Sequence, residues 1–165
     1  MASKLLDGVR LVLIERHDDL RSVLANFLSQ QGAGVIAFSQ PSQALVAVEQ
    51  SQVDVVLLEL AEDEYGFQLV RTIRELQPAS GGNTPVIAMN SLGSGILRNR
   101  ALTAGFNGYL DKPFTPRKLL ESIQSALHVS GYRSVGAVCE LLLPSNTSAV
   151  LSTASESNSE AFSSS

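Results

Sequence analysis

The residues able to do chemistry in this chain stand where apolar runs end. Arg10–Glu15 (RLVLIE) closes on a carboxylate, Glu15, followed at once by Arg16. Asp54–Glu59 (DVVLLE) closes on a second carboxylate, Glu59. Asn90 follows the run Pro85–Met89 (PVIAM), and Lys112-Pro113 follows the short run Gly108–Leu110, which contains Tyr109. Carboxylate oxygens ligate hard cations such as Mg²⁺ and serve as nucleophiles. An amide donates and accepts hydrogen bonds, whereas a guanidinium stays protonated and cannot ligate a metal.

These groups act together only if the fold brings the run ends to one edge. With Gly34–Phe38 there are five strand-like runs, and the first, third and fourth are nearly continuous in apolar residues. Parallel strands covered on both faces read that way. Helical spacing fills the gaps. Leu20, Val23, Leu24, Phe27 and Leu28 make a core-facing stripe, with Asp18 or Asp19 expected as its N-cap. Pro41 suits a first helical turn ahead of Ala44, Leu45 and Val48. Phe67, Val70 and Ile73 give a third stripe, Ile96 to Ala104 a fourth, and Leu119, Leu120, Ile123 and Leu127 a fifth that begins near Thr115-Pro116. Five β-α units imply an α/β fold, a parallel sheet wrapped by helices with right-handed crossovers. In such sheets sites lie beyond the C-terminal strand ends, where these polar residues fall.

Three segments carry a resemblance. Leu13-Ile14-Glu15-Arg16-His17-Asp18-Asp19-Leu20-Arg21 resembles the first strand and loop of a response-regulator receiver domain. Asp54-Val55-Val56-Leu57-Leu58-Glu59-Leu60 resembles the strand that ends at the family's phosphoacceptor. Ala104-Gly105-Phe106-Asn107-Gly108-Tyr109-Leu110-Asp111-Lys112-Pro113-Phe114 is similar to the fifth-strand motif with its Lys-Pro. The resemblance implies a flavodoxin-like (βα)5 three-layer sandwich with a five-stranded sheet in the order 2-1-3-4-5. It also implies a cis Lys112-Pro113 bond.

Receivers use two acidic residues after the first strand, a phosphoacceptor Asp, a Ser or Thr after the fourth strand and a Lys after the fifth. Mapped one by one, Glu15 keeps the first acid, Arg16 reverses the charge of the second, and Glu59 lengthens the phosphoacceptor. Asn90 replaces the hydroxyl, and Lys112 alone is unchanged. Tyr109 holds the aromatic switch position. Two carboxylates against Arg16 and Lys112 would leave the pocket near neutral without metal or phosphate. The alternative is that Arg16 swings out to solvent. Glu59 reaches about 1.5 Å further than Asp but carries less charge than a phosphoryl group, so its mimicry of an aspartyl phosphate is partial and a frozen inactive-like or intermediate geometry is expected. The loop Ala61–Gly66 is one residue shorter than the family pattern, and its acids Glu62–Glu64 read as a solvated run.

The expected function is a phosphorylation-independent pseudo-receiver without cofactor or catalysis, working by protein–protein interaction. The alternative is a single-domain response regulator that still takes a phosphoryl group at Glu59 or a nearby carboxylate. Partners implied by the resemblance are a histidine kinase or another signalling protein. A homodimer through the fourth and fifth helices, which carry Arg98, Arg100, Arg117 and Lys118, is the further option. The net charge of −4 and the lack of basic residues after Arg133 argue against a nucleic-acid binder. No Gly-rich phosphate loop follows the first run, which weakens a nucleotide- or flavin-binding reading.

Residues 1–8 read as an N-terminal extension, 9–128 as the receiver-like domain and 129–144 as an apolar extension. Nine of the last 21 residues are Ser, so 145–165 reads as a disordered tail. Cys139, the single cysteine, excludes an intrachain disulfide and reads as a buried apolar residue. The absence of an apolar leader or a membrane-length run points to a cytoplasmic protein.

Overall fold

The computed structural model describes residues 4–61, 63–91 and 95–131. The apolar runs at 11–14, 55–59 and 86–90 are buried on both faces, whereas the edge runs Gly34–Phe38 and Gly108–Asp111 are partly exposed. In chain order the elements are β1 (Arg10–Ile14), α1 (Asp18–Gln30), β2 (Gly34–Phe38), α2 (Pro41–Gln50), β3 (Val55–Glu59), α3 (Tyr65–Glu75), a 3-10 turn (Pro78–Ser80), β4 (Val86–Asn90), α4 (Gly95–Ala104), β5 (Gly108–Asp111) and α5 (Pro116–Val129). Every strand pairing is parallel, and the sheet order is β2-β1-β3-β4-β5. This is the flavodoxin-like fold that the resemblance implies.

Alternation along the strands divides the core into two layers. Leu11, Leu13, Val55, Leu57, Ile87 and Met89 point toward α1 and α5, where Leu24, Leu28, Leu119 and Ile123 meet them. Val12, Ile14, Val56, Leu58, Val86 and Ala88 point the other way, onto Ala44, Val48, Phe67, Val70 and Ile73. Leu6, within the expected N-terminal extension, is fully buried in the first layer and packs on the domain. At the other end α5 runs through Val129, one residue into the expected apolar extension. Residues 132–144 of that extension, which include Cys139, and the Ser-rich tail lie outside the described residues. Among the described residues no helix is long and apolar enough to cross a membrane.

Two helical stripes differ from the periodic reading. Val23 is 62% exposed and Ile96 is 83% exposed. On α4 the inward row is Leu97, Ala101 and Ala104, at i, i+4 and i+7, and its small side chains let the helix lie close to α3 and β5. Helix α1 begins at Asp18 with His17 as an N-cap that makes no side-chain capping bond, so neither Asp18 nor Asp19 caps it. They lie instead in the first turn, where negative charge favours the helix dipole. Thr115 does cap α5, its hydroxyl oxygen accepting from the Lys118 N–H at 3.1 Å.

The N-terminal side of β4 and β5 is tied by Arg74. Its guanidinium donates to the carbonyls of Gly82 at 2.9 Å, Thr84 at 2.8 Å and Gly105 at 2.9 Å, and to Asn107 Oδ1 at 2.7 Å. Gly105 turns α4 into β5 at φ 108°, and a Cβ there would stand 3.2 Å from Arg74 Cγ. Glycine suits both the left-handed turn and the close approach.

Candidate functional site

Parallel pairing puts the C-terminal ends of β1, β3, β4 and β5 at one edge, and with them Glu15, Glu59, Asn90 and Lys112. The ladder extends past the strands, with the Lys112 N–H donating to the Asn90 carbonyl at 2.7 Å. Glu15 is fully buried and Glu59 is 8% exposed. Buried carboxylates require partners, and these have them. Lys112 Nζ donates to Glu15 Oε2 at 2.7 Å and to Glu59 Oε1 at 3.0 Å. The Arg16 backbone N–H donates to Glu59 Oε2 at 3.0 Å, and the His17 N–H to Glu15 Oε1 at 3.1 Å. Among the described residues no buried side-chain nitrogen or oxygen lacks a partner.

Burial alone pushes the Glu59 carboxyl up. The Arg16 N–H, the Lys112 hydrogen bond, the Glu15 side chain and the lysine's charge outweigh it and hold the carboxyl below its ordinary value of 4.5. Glu59 is therefore an ionised, engaged group.

The guanidinium of Arg16 does not join this pocket. It turns outward, 41% exposed, and pairs with Asp63 in the loop before α3. The expected neutralisation of Glu15 and Glu59 by Arg16 and Lys112 together is thus corrected: the side chain of Lys112 does it, and Arg16 contributes its backbone. Asp63, in the loop before α3, stands within reach in partial solvent. There a guanidinium keeps some hydration, which the buried Glu59 side could not offer. Asp63 and Glu64 of that loop are not merely solvated, since Asp63 pairs with Arg16 and Glu64 with Arg100.

Two residues without an assigned role in the sequence reading belong to the site. His17 Nδ1 stands 3.1 Å from Glu15 Oε1 and 3.6 Å from Glu59 Oε1. Arg21 donates to the Glu15 carbonyl at 2.9 Å and pairs with Asp18 at 2.6 Å, bracing the β1–α1 loop. Their proximity to Glu15 in the sequence was the available signal. Asn90 is buried, and its amide donates to the Tyr109 hydroxyl at 2.7 Å. The four basic residues of α4 and α5 are exposed, but Arg100 also lies over the Phe67 ring at 4.1 Å, and Arg117 pairs with Glu121 at 2.8 Å. The Lys112-Pro113 peptide is cis.

The family model for the response regulator receiver domain matches residues 11–124. The chain belongs to that family. Receivers are signalling modules of two-component systems, not typical enzymes, and they interact with histidine kinases and other proteins. An uncharacterized 14.6 kDa protein of Leptolyngbya boryana, from the sodA1 3' region, is 30% identical over 115 residues, 69% of this receiver and 86% of that protein. The transcriptional regulatory protein CssR of Bacillus subtilis is 28% identical over 119 residues, covering 72% of this chain and 51% of CssR. The chain spans about half the length of the transcriptional regulators it matches. The receiver domain of the sensor histidine kinase PA1611 from Pseudomonas aeruginosa superposes with a TM-score of 0.66 at 26% identity, covering 73% of this chain and 98% of that domain. That structure has a magnesium ion coordinated in its active-site cleft.

The residues of this receiver do not fit such an ion. Mg²⁺ takes six oxygens in near-ideal octahedral geometry. Here the second acidic position is Arg16, and the Lys112 ammonium stands against both remaining carboxylates. Glu15, His17 and Glu59 do each place a ligand atom within 4.8 Å of the others, but a nitrogen–oxygen set of that kind suits transition ions more than Mg²⁺.

Proposed function

We propose that this receiver signals without phosphorylation, by binding other proteins. The observation that carries the reading is the Lys112 ammonium bonded to both Glu15 and Glu59. Receivers have this lysine in addition to a second acid; here that acid is replaced by Arg16, whose guanidinium turns away to Asp63, and Lys112 is the side-chain cation bonded to Glu15 and Glu59. Both Glu59 oxygens are engaged, one by Lys112 and one by the Arg16 N–H, so attack on a phosphodonor would first have to break one of those bonds. Asn90 spends its amide on Tyr109, which couples the two switch positions to each other rather than to a phosphoryl group. A histidine kinase or another signalling protein is the partner class that goes with this reading, in the cytoplasm, and exposed Arg98 and Lys118, which form no ion pair among the described residues, can contribute to a docking face on α4 and α5. A homodimer through that face is the second use it could have.

The test is intact mass after incubation with a small phosphodonor and Mg²⁺. No mass gain is expected. A labile gain of one phosphoryl group that disappears in Glu59→Gln would sink the proposal and establish Glu59 as a phosphoacceptor.

A further inference from the structure

We propose that the cavity beside the lysine-filled pocket binds a small phosphate-bearing molecule noncovalently. The cavity has a volume of about 610 Å³, within the range of roughly 300–1,000 Å³ common for small-molecule clefts. Its wall comes from the ends of three adjacent strands: Arg16 after β1, Ser39, Gln40 and Ser42 after β2, and Asp63 and Tyr65 after β3. The chain steps from β1 to β2 on one side and places β3 on the other. The cavity therefore opens where strand order reverses, the crevice in which open α/β sheets take ligands.

The wall holds one cation, Arg16, paired with one carboxylate, Asp63, and the remaining lining is neutral. Arg16 brings a fixed positive charge turned away from Glu15 and Glu59. Its bond to Asp63 runs through Nη2, and a guanidinium has five N–H donors in a fork that matches phosphate oxygens. The Ser42 hydroxyl and the Gln40 amide add neutral donors, while the Ser39 hydroxyl donates to Gln43 Oε1 at 3.4 Å. Asp63 is the opposing element, a carboxylate that an incoming phosphate must displace or tolerate. Tyr65, 64% exposed, offers a flat face at the rim for the ring of a nucleoside phosphate. No Gly-rich loop follows β1, so recognition rests on side chains and the affinity is modest. Charge reversal at position 16 thereby exchanges a cation site for a neighbouring anion site. The proposal stands apart from the phosphorylation reading, because no bond to the protein forms.

The experiment titrates inorganic phosphate, AMP and ADP separately into the full chain, without divalent metal, and follows backbone amide shifts by NMR. Saturable shifts are expected at Arg16, Ser39, Ser42 and Tyr65. Arg16→Ala should weaken them about tenfold, the loss of one charge-assisted contact, while Arg16→Lys retains part of the binding. Asp63→Asn, which removes the competing carboxylate, should tighten it. Tighter binding of nucleotides than of phosphate, abolished in Tyr65→Ala, identifies the nucleoside phosphate as ligand; equal binding identifies free phosphate. Absence of saturable shifts with all three ligands, shifts unchanged in Arg16→Ala, or shifts confined to Glu59 and Lys112 would overturn the proposal.

Discussion

Replacing Lys112 with Met removes the ammonium and keeps most of the side-chain volume. Two buried carboxylates, fully buried and 8% exposed, then lose their shared cation. Breaking a buried ion pair from one side costs about 3–5 kcal/mol. Lys112 is itself 12% exposed, and two backbone N–H groups remain on the carboxylates, so about 3 kcal/mol at neutral pH is expected rather than the sum of two pairs. The deficit depends on pH with a definite sign. In the native chain the Glu59 carboxyl lies below 4.5, so its ionised form adds stability that is complete above that value. This stability is lost as pH falls through the lower folded value. In the variant burial acts with less opposition, the carboxyl moves up, and protonation relieves the strain as pH approaches the ordinary carboxylate range. Urea unfolding at neutral pH and near pH 4.5 measures both effects: the gap between wild type and Lys112→Met should narrow in acid. Adding Glu59→Gln to Lys112→Met should recover part of the loss at neutral pH. A variant within about 0.5 kcal/mol of wild type, the range of ordinary surface changes, or a gap that is flat with pH, would refute the reasoning.

Arg74→Ala should cost about 3 kcal/mol in chemical denaturation, since it strips a charged donor from three main-chain carbonyls and Asn107. Arg74→Lys should rescue little of this, because a single ammonium cannot span the fork. Tyr109→Phe removes the acceptor of the Asn90 amide; a loss of about 1 kcal/mol with a shift of the Asn90 side-chain amide resonances checks it. Thr115→Ala should destabilise by about 1 kcal/mol, and Thr115→Ser should restore most of that.

Strands β1, β3 and β4 were legible because burial on both faces leaves a nearly unbroken apolar run, and all five strands fall within a residue of their expected limits. The order 2-1-3-4-5 was not readable from periodicity, which has no term for lateral neighbours; it came with the receiver resemblance. Helix faces were legible where large side chains dominate, as in α3. They were not in α4, where Leu97, Ala101 and Ala104 pack and the larger Ile96 faces out. At the site, Glu15, Glu59, Asn90 and Lys112 converge because strand ends must. The destination of Arg16 was open, since a long side chain chooses among carboxylates by solvation and loop geometry. Asp63 lies 47 residues away in sequence and signalled nothing as a partner.

The contacts of Lys112 also bear on the order in which the chain assembles. They link residues 97 and 53 apart in sequence, and they need β1, β3 and β5 seated at once. Closing such long loops comes late on a folding route, so the ammonium acts as a latch set after the transition state. Lys112→Met should therefore hasten unfolding severalfold or more while leaving the refolding rate nearly untouched. The residue that holds both pocket carboxylates would then also govern how long the closed domain persists.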